Sequence, residues 1–351
     1  MSYVIGFKSR FGRSELNDGI LSRQQIIVLL STCLLVFCIT AELFAIGPTG
    51  WYNTKIKAEY QFSDYGEYSF PEVEYGDSIQ FIDPYVFSFP EHRSLVKIIQ
   101  SFGPKKALEL RYENSVLSSD KQQDRYYSRY DQNISDLTTV YGVYQSLDLS
   151  YDSPDSISSV GHMMSLGIKH DRSGWIKGET SFSYDNSKAP SGLITETFMP
   201  MVQGRWSIDS YTALSARWDG YWAVSDSGTV PAHAFTVFVS RYFPTETAVH
   251  LFSRFYRNED GVESISPAVE VAQYVLWNLT ARMTYRFYRN WFESENAPPT
   301  IEGNSLTAHS IRTNIEYEIM SDVKMLIKYR WYSSDQNIKM STYLLGFEYN
   351  L

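Results

Sequence analysis

The chain has 351 residues, a formal net charge of -9 and only 2 cysteines, which leaves room for one large or two ordinary domains and excludes an electrostatic nucleic-acid binder. Aromatic residues make up 16% of it (27 Tyr, 20 Phe and 8 Trp), although the mean hydropathy is mildly hydrophilic. That combination suits a membrane barrel with an apolar belt and a wet interior, and equally a carbohydrate-binding β-protein.

At the amino terminus Lys8, Arg10, Arg13 and Arg23 precede an apolar run over 26–41. A basic lead, a short apolar core and a small residue after it describe a secretory signal peptide over 1–41, cleaved after Ala41 or Ala45. The lead is long for a signal, so an uncleaved anchor stays open, although the run is short for a full span. Cys33 and Cys38 lie inside this run behind Thr32 and Phe37, not behind the small residues a lipoprotein signal needs. A cleaved chain has no cysteine, which excludes disulfides, thiolate metal sites and cysteine nucleophiles.

Residues 42–104 form an acidic, aromatic segment interrupted by Pro48, Pro71, Pro84 and Pro90. Leu95, Ile98 and Ile99 share one side of a helical spacing and predict a short helix over 91–102. The segment reads as too aromatic for plain disorder and too irregular for a barrel wall. It is expected to plug a lumen or to stay in the periplasm.

From 105 to 351 the pattern becomes strand after strand. About fourteen strands are expected, within a range of twelve to sixteen, near 106–115, 124–133, 138–152, 161–170, 174–186, 194–207, 210–225, 232–243, 246–258, 264–275, 279–291, 306–319, 322–333 and 339–351. Tight turns at 171–173, 208–209, 244–245, 276–278 and 320–321 alternate with longer polar loops. Short turns on one side and long loops on the other mark an outer-membrane barrel, with the short side in the periplasm. Individual strands carry two faces. Over 279–291, Ala281, Met283, Tyr285, Phe287 and Trp291 oppose Arg282, Thr284, Arg286, Tyr288 and Asn290; over 322–333, Val323, Met325, Ile327, Tyr329 and Trp331 oppose Lys324, Leu326, Lys328, Arg330 and Tyr332. A charge at every second residue needs water on one face, and the apolar partner face needs lipid or a protein core. Trp277 and Trp291 stand where aromatic girdles belong.

The last stretch alternates strictly, with Ser341, Tyr343, Leu345, Phe347, Tyr349 and Leu351 on one face. It resembles the carboxy-terminal assembly signal of bacterial outer-membrane β-barrels, carried here by Gly346, Tyr349 and Leu351. The resemblance reaches only that general class. It implies an all-β, antiparallel, up-and-down transmembrane barrel, contact with outer-membrane lipid and with the barrel-assembly machinery, and both termini on the periplasmic side. Fourteen strands is also the number in long-chain fatty-acid transporters, but no motif of theirs is present and the inferred lumen is too charged for a greasy substrate.

Little points to catalysis. None of the six histidines has metal-ligand spacing and no serine lies in a Gly-x-Ser-x-Gly elbow, so no catalytic, metal or cofactor site is assigned. His250, on the inferred lumen face, is the one candidate, against a structural reading as a hydrogen-bonded wall residue. The informative constellation is a basic ladder: Arg217, Arg254, Arg282, Arg286, Arg312, Lys324, Lys328 and Arg330 all point inward by alternation. Asp219, Glu270, Glu316, Glu318 and Glu348 point inward with them. These charges either brace the wall as cross-strand ion pairs or leave a positive surplus that attracts anions. Arg257 and Arg289 break the outward apolar face near the long-loop end, where lipid head groups or water would receive them. The expected function is a channel or transporter for small polar solutes, anions among them if the basic surplus is left unbraced. The alternatives are a structural or scaffold barrel without conductance and a secreted glycan-binding β-protein.

Overall fold

Period-two alternation over most of the chain leaves each segment one apolar and one polar face, so no single strand satisfies its own backbone. The solution is a closed antiparallel barrel of sixteen strands. The computed structural model describes residues 53–64, 92–103, 105–118, 121–151, 158–172, 174–188, 192–225, 228–259, 261–291, 305–335 and 339–350. In chain order the strands are β1 (Thr54–Asp64), β2 (His92–Ser101), β3 (Lys106–Ser118), β4 (Lys121–Ser135), β5 (Thr138–Tyr151), β6 (Ser158–Asp171), β7 (Ile176–Lys188) and β8 (Ile194–Ser207). They continue as β9 (Thr212–Ser225), β10 (Gly228–Phe243), β11 (Thr247–Asn258), β12 (Glu263–Leu276), β13 (Leu279–Trp291), β14 (Ser305–Met320), β15 (Val323–Ser334) and β16 (Lys339–Asn350). Every strand pairs with its chain neighbours, and β1 closes the ring against β16, with Ile56 opposite Tyr349 and Glu59 opposite Gly346. Closure removes both free edges. A twelve-residue strand tilted by about 45° rises about 29 Å, enough to cross a bilayer core.

The ring corrects three expectations. The wall begins at β1, not at residue 105, so part of the 42–104 segment belongs to the barrel. The ring therefore has sixteen strands, at the top of the range and two more than the fourteen expected. The short helix over 91–102 is also strand β2. Leu95 and Ile99 turn toward the lumen beside Arg93 and Lys97, so apolar residues occupy both faces and mimic a helical stripe. The signal segment 1–41, the cleavage sites, the cysteines, residues 65–91 as a plug and Leu351 all lie outside the described residues.

Register divides the wall into two faces throughout. The outward face carries exposed Tyr, Trp, Phe, Leu, Ile and Met side chains, among them Leu166, Phe255, Met283, Tyr343 and Phe347. At the short-turn end Trp175, Trp206, Tyr211 and Trp277 stand out from the wall, Trp277 at 89% exposure. Trp291 and Phe62 do so at the other end. These are the two aromatic belts expected where a membrane meets water.

The seam is tight. A Cβ at Gly346 would sit 2.9 Å from Glu59 Cγ and 3.1 Å from the Ala58 carbonyl oxygen, so the absent side chain makes room for Glu59. Glu59 lies across the seam and pairs with Lys57 at 2.7 Å and with Lys328 at 2.9 Å. Lys328 comes from β15 and reaches over β16 to do so.

Candidate functional site: the charged lumen

The inward face of β9–β16 carries every residue of the basic ladder and of its companion acids. Arg217 and Asp219 stand on β9, and Arg254 on β11 is separated from them by β10. The small inward side chains Ala232, Ala234 and Thr236 of β10 let Arg254 lie across it. Its Nη1 donates to Asp219 Oδ2 at 3.1 Å and its Nη2 to the Tyr221 hydroxyl at 3.1 Å. Arg217 donates to the other carboxylate oxygen through Nε (2.8 Å) and Nη2 (2.6 Å). Asp219 thus serves two guanidinium groups in a buried knot, with Arg254 only 9% exposed.

One strand row runs Ser240–His250–Glu270–Thr284–Arg312–Arg330 across β10 to β15. His250 Nδ1 and Ser240 Oγ share a 2.7 Å hydrogen bond, and the ring stacks on Phe238. Glu270 is turned the other way: it accepts from Thr284 Oγ1 at 2.8 Å and pairs with Arg282 at 3.6 Å. His250 is thereby held to the wall.

Further along the row Arg312 and Arg330 are direct cross-strand partners, and Arg286 on β13 sits opposite Ser310, two residues before Arg312. Like charges placed face to face repel. Among the described residues Arg312 forms no ion pair, and its side chain is exposed to the lumen. The Arg286 guanidinium stands 5.1 Å from the Phe252 ring centre. Lys328 is committed to Glu59, while Glu348 pairs with Lys55 at 3.0 Å. Lys324 faces Glu318 and Glu348 in register. Among the described residues Glu316 and Glu318 pair with no cation. The arginines Arg286, Arg312 and Arg330 therefore gather at one place on the wall, two strands away from the knot around Asp219.

Sequence reading missed the lumen charges of the first half. On β1 to β5, Arg93 and Arg125 both meet Glu113 (2.7 and 3.7 Å), Lys97 meets Glu109 (2.8 Å), and Arg129 grips Asp131 through Nε and Nη2. Arg129 also covers the Tyr141 ring at 4.2 Å. Alternation in 106–131 places Glu109, Arg111 and Glu113 on one face, with Arg125, Arg129 and Asp131 opposite, and was the signal that could have found them. Halfway round the ring from β14, β6 and β7 present Ser165, Ser181, Ser183, Glu179 and Asp185 to the lumen. Among the described residues no group of His, Cys, Asp and Glu is arranged to hold a metal ion.

No family model matches the chain, and no curated protein matches it. Among solved structures it is similar to a bacterial polysaccharide outer membrane secretin, at 8% identity over 87% of this chain and 99% of that one, with a TM-score of 0.52. It is similar to OccAB4 of Acinetobacter baumannii at 8% identity over 87% and 100%, with a TM-score of 0.52. It is also similar to OccK3 (OpdO) of Pseudomonas aeruginosa at 10% identity over 86% and 95%, with a TM-score of 0.50. With a closed sixteen-strand wall, an apolar exterior and a charged interior, the chain has the fold of the bacterial outer-membrane β-barrels.

Proposed function

We propose that the protein is an outer-membrane channel that passes small polar solutes and prefers anions. A sixteen-stranded barrel is wide enough to leave an aqueous path, and its polar lumen supports a wet one. The observation that carries the preference is the juxtaposition of three guanidinium groups on one patch of the lumen wall, Arg312 opposite Arg330 with Arg286 beside them. A low-dielectric wall focuses such a field into the pore. The basic, apolar amino terminus supports delivery by a secretory signal, and the even strand number supports both ends of the barrel facing the periplasm, where the assembly machinery would read Gly346, Tyr349 and the terminal Leu351. A soluble glycan-binding protein does not account for an exposed apolar belt all around the wall.

The second reading is a structural barrel whose charges only brace it. It is favoured by the Asp219 knot and by the Lys328–Glu59 pair, both of which consume ladder residues. Planar-bilayer recording under a salt gradient separates the two. The channel reading expects an anion-selective reversal potential that fades toward molar salt, where the screening length is about 3 Å. Arg282→Glu with Arg286→Glu should shift it toward cations. Cation preference in the wild type, or no shift in the double variant, leaves bracing as the role of the ladder.

A further inference from the structure

The outward wall carries a second constellation, near the long-loop ends of β9 to β13. Two parallel rows cross these strands. The outer row reads His233, Arg257, Glu263, Trp291, and the row below it, nearer mid-barrel, reads Trp218, Phe235, Phe255, Ile265, Arg289. Between them lies a groove of about 410 Å³ with an aromatic floor. Gly220 shapes one side: a Cβ there would meet Trp222 at 2.7 Å and Trp218 at 2.9 Å, so both indoles fold inward over it. They enclose His233, one stacked at 6.0 Å and the other edge-on at 5.8 Å. Trp291 lines the opposite side, and Arg289 lies over its ring at 5.1 Å, at the edge of the groove.

Two arginines on a lipid-facing surface are costly in hydrocarbon and nearly free at the interface. Arg257 is fully displayed, with its side chain 77% exposed and one weak partner, Glu263, at 3.4 Å. We propose that this groove binds a phosphate-bearing membrane lipid, with Arg257 and Arg289 on the phosphate and the acyl chains along Phe235, Phe255 and Ile265. Guanidinium groups suit phosphate because their planar donors meet two oxygens at once. The apolar members of the lower row, Phe235, Phe255 and Ile265, select a lipid over free phosphate, because an inorganic ion gains nothing from them. The inference rests on the membrane reading of the barrel but not on conduction.

The test uses the folded full-length chain in a neutral detergent, titrated with phosphatidate, with diacylglycerol of the same acyl chains, or with inorganic phosphate. Retention is read by native mass spectrometry, and the groove by the fluorescence of its tryptophans. Wild type should retain phosphatidate at least about tenfold better than Arg257→Gln with Arg289→Gln, since each charge-assisted contact is worth roughly that factor. Lys188→Gln, on the outward face of β7 and away from the groove, should behave as wild type. Equal retention by wild type and double variant, equal retention of diacylglycerol, or binding of inorganic phosphate as tight as phosphatidate would each overturn the proposal. Failure of wild type to insert into vesicles would instead sink the membrane reading; insertion with unchanged lipid retention sinks only the groove.

Discussion

The closing seam can be tested by a double-mutant cycle on Gly346 and Glu59. Adding a methyl at 346 puts a carbon 2.9 Å from Glu59 Cγ and 3.1 Å from the Ala58 carbonyl oxygen, closer than ordinary contact. The backbone oxygen can give by a few tenths of an ångström, but Glu59 must swing away from Lys57 and Lys328. Overpacking of this kind costs about 1–3 kcal/mol. The stiffer unfolded chain of alanine returns about 0.5–1 kcal/mol. A net loss of about 1–2 kcal/mol is therefore expected for Gly346→Ala. Glu59→Ala alone strands two lysines, each about a quarter exposed, and should cost a similar amount, well below the figure for a fully buried pair. With Glu59 already truncated, the new methyl meets only the Ala58 oxygen, and Gly346→Ala should then be close to neutral. The coupling should thus reach about 1 kcal/mol in the direction of relief. Equilibrium denaturant unfolding in lipid vesicles, followed by tryptophan fluorescence, measures all four corners. If the two single costs add to within about 0.5 kcal/mol, Glu59 does not occupy the space that Gly346 leaves, and the seam works differently.

Removing Tyr349–Leu351 takes away pairing to Ile56 and Val323 and the end of the assembly signal, so the truncated chain should lose the fast-running unboiled gel band of a closed barrel. Asp219→Ala removes the carboxylate that Arg254 meets in a buried setting, while the Tyr221 and Thr236 hydroxyls stay in place. It should destabilise by about 2–3 kcal/mol, below the fully buried case because Arg217 is one-third exposed, and Arg254→Met added to it should recover part of the loss in the same unfolding assay. In the turn between β8 and β9, the N–H groups of Tyr211 and Thr212 donate to Asp209 and hold its carboxyl below the usual value. A depressed folded value means stability that is present above the unfolded value and is lost as pH falls through the folded one. The stability gap between wild type and Asp209→Ala should therefore close on acidification, and a gap that widens in acid would refute this.

Most of the wall was legible because membrane and water act on alternate residues of a strand. Boundaries such as 194–207 and 279–291 came out residue for residue, and β16 announced itself by its aromatic alternation. What failed did so where the two-face rule weakens. In β2 the inward Leu95 and Ile99 share a face with Arg93 and Lys97, so the apolar spacing read as helical. In β1 the pattern was present, with Lys55, Lys57 and Glu59 against Ile56, Ala58 and Tyr60, but it was overshadowed by the proline-rich, acidic stretch that follows. The inward direction of the ladder was readable from alternation alone, whereas its pairing was not. Glu59 and Lys328 are 269 residues apart, and only closure of the ring makes them neighbours.

The arginines of β13–β15 and the carboxylates of β7 stand on opposite sides of the ring, so unlike charges are set against each other across the lumen. Under the channel reading a zwitterion that enters would be turned broadside, carboxylate toward the arginines and ammonium toward the acids. Molecules of equal size and equal net charge but different separation of charge would then pass at different rates.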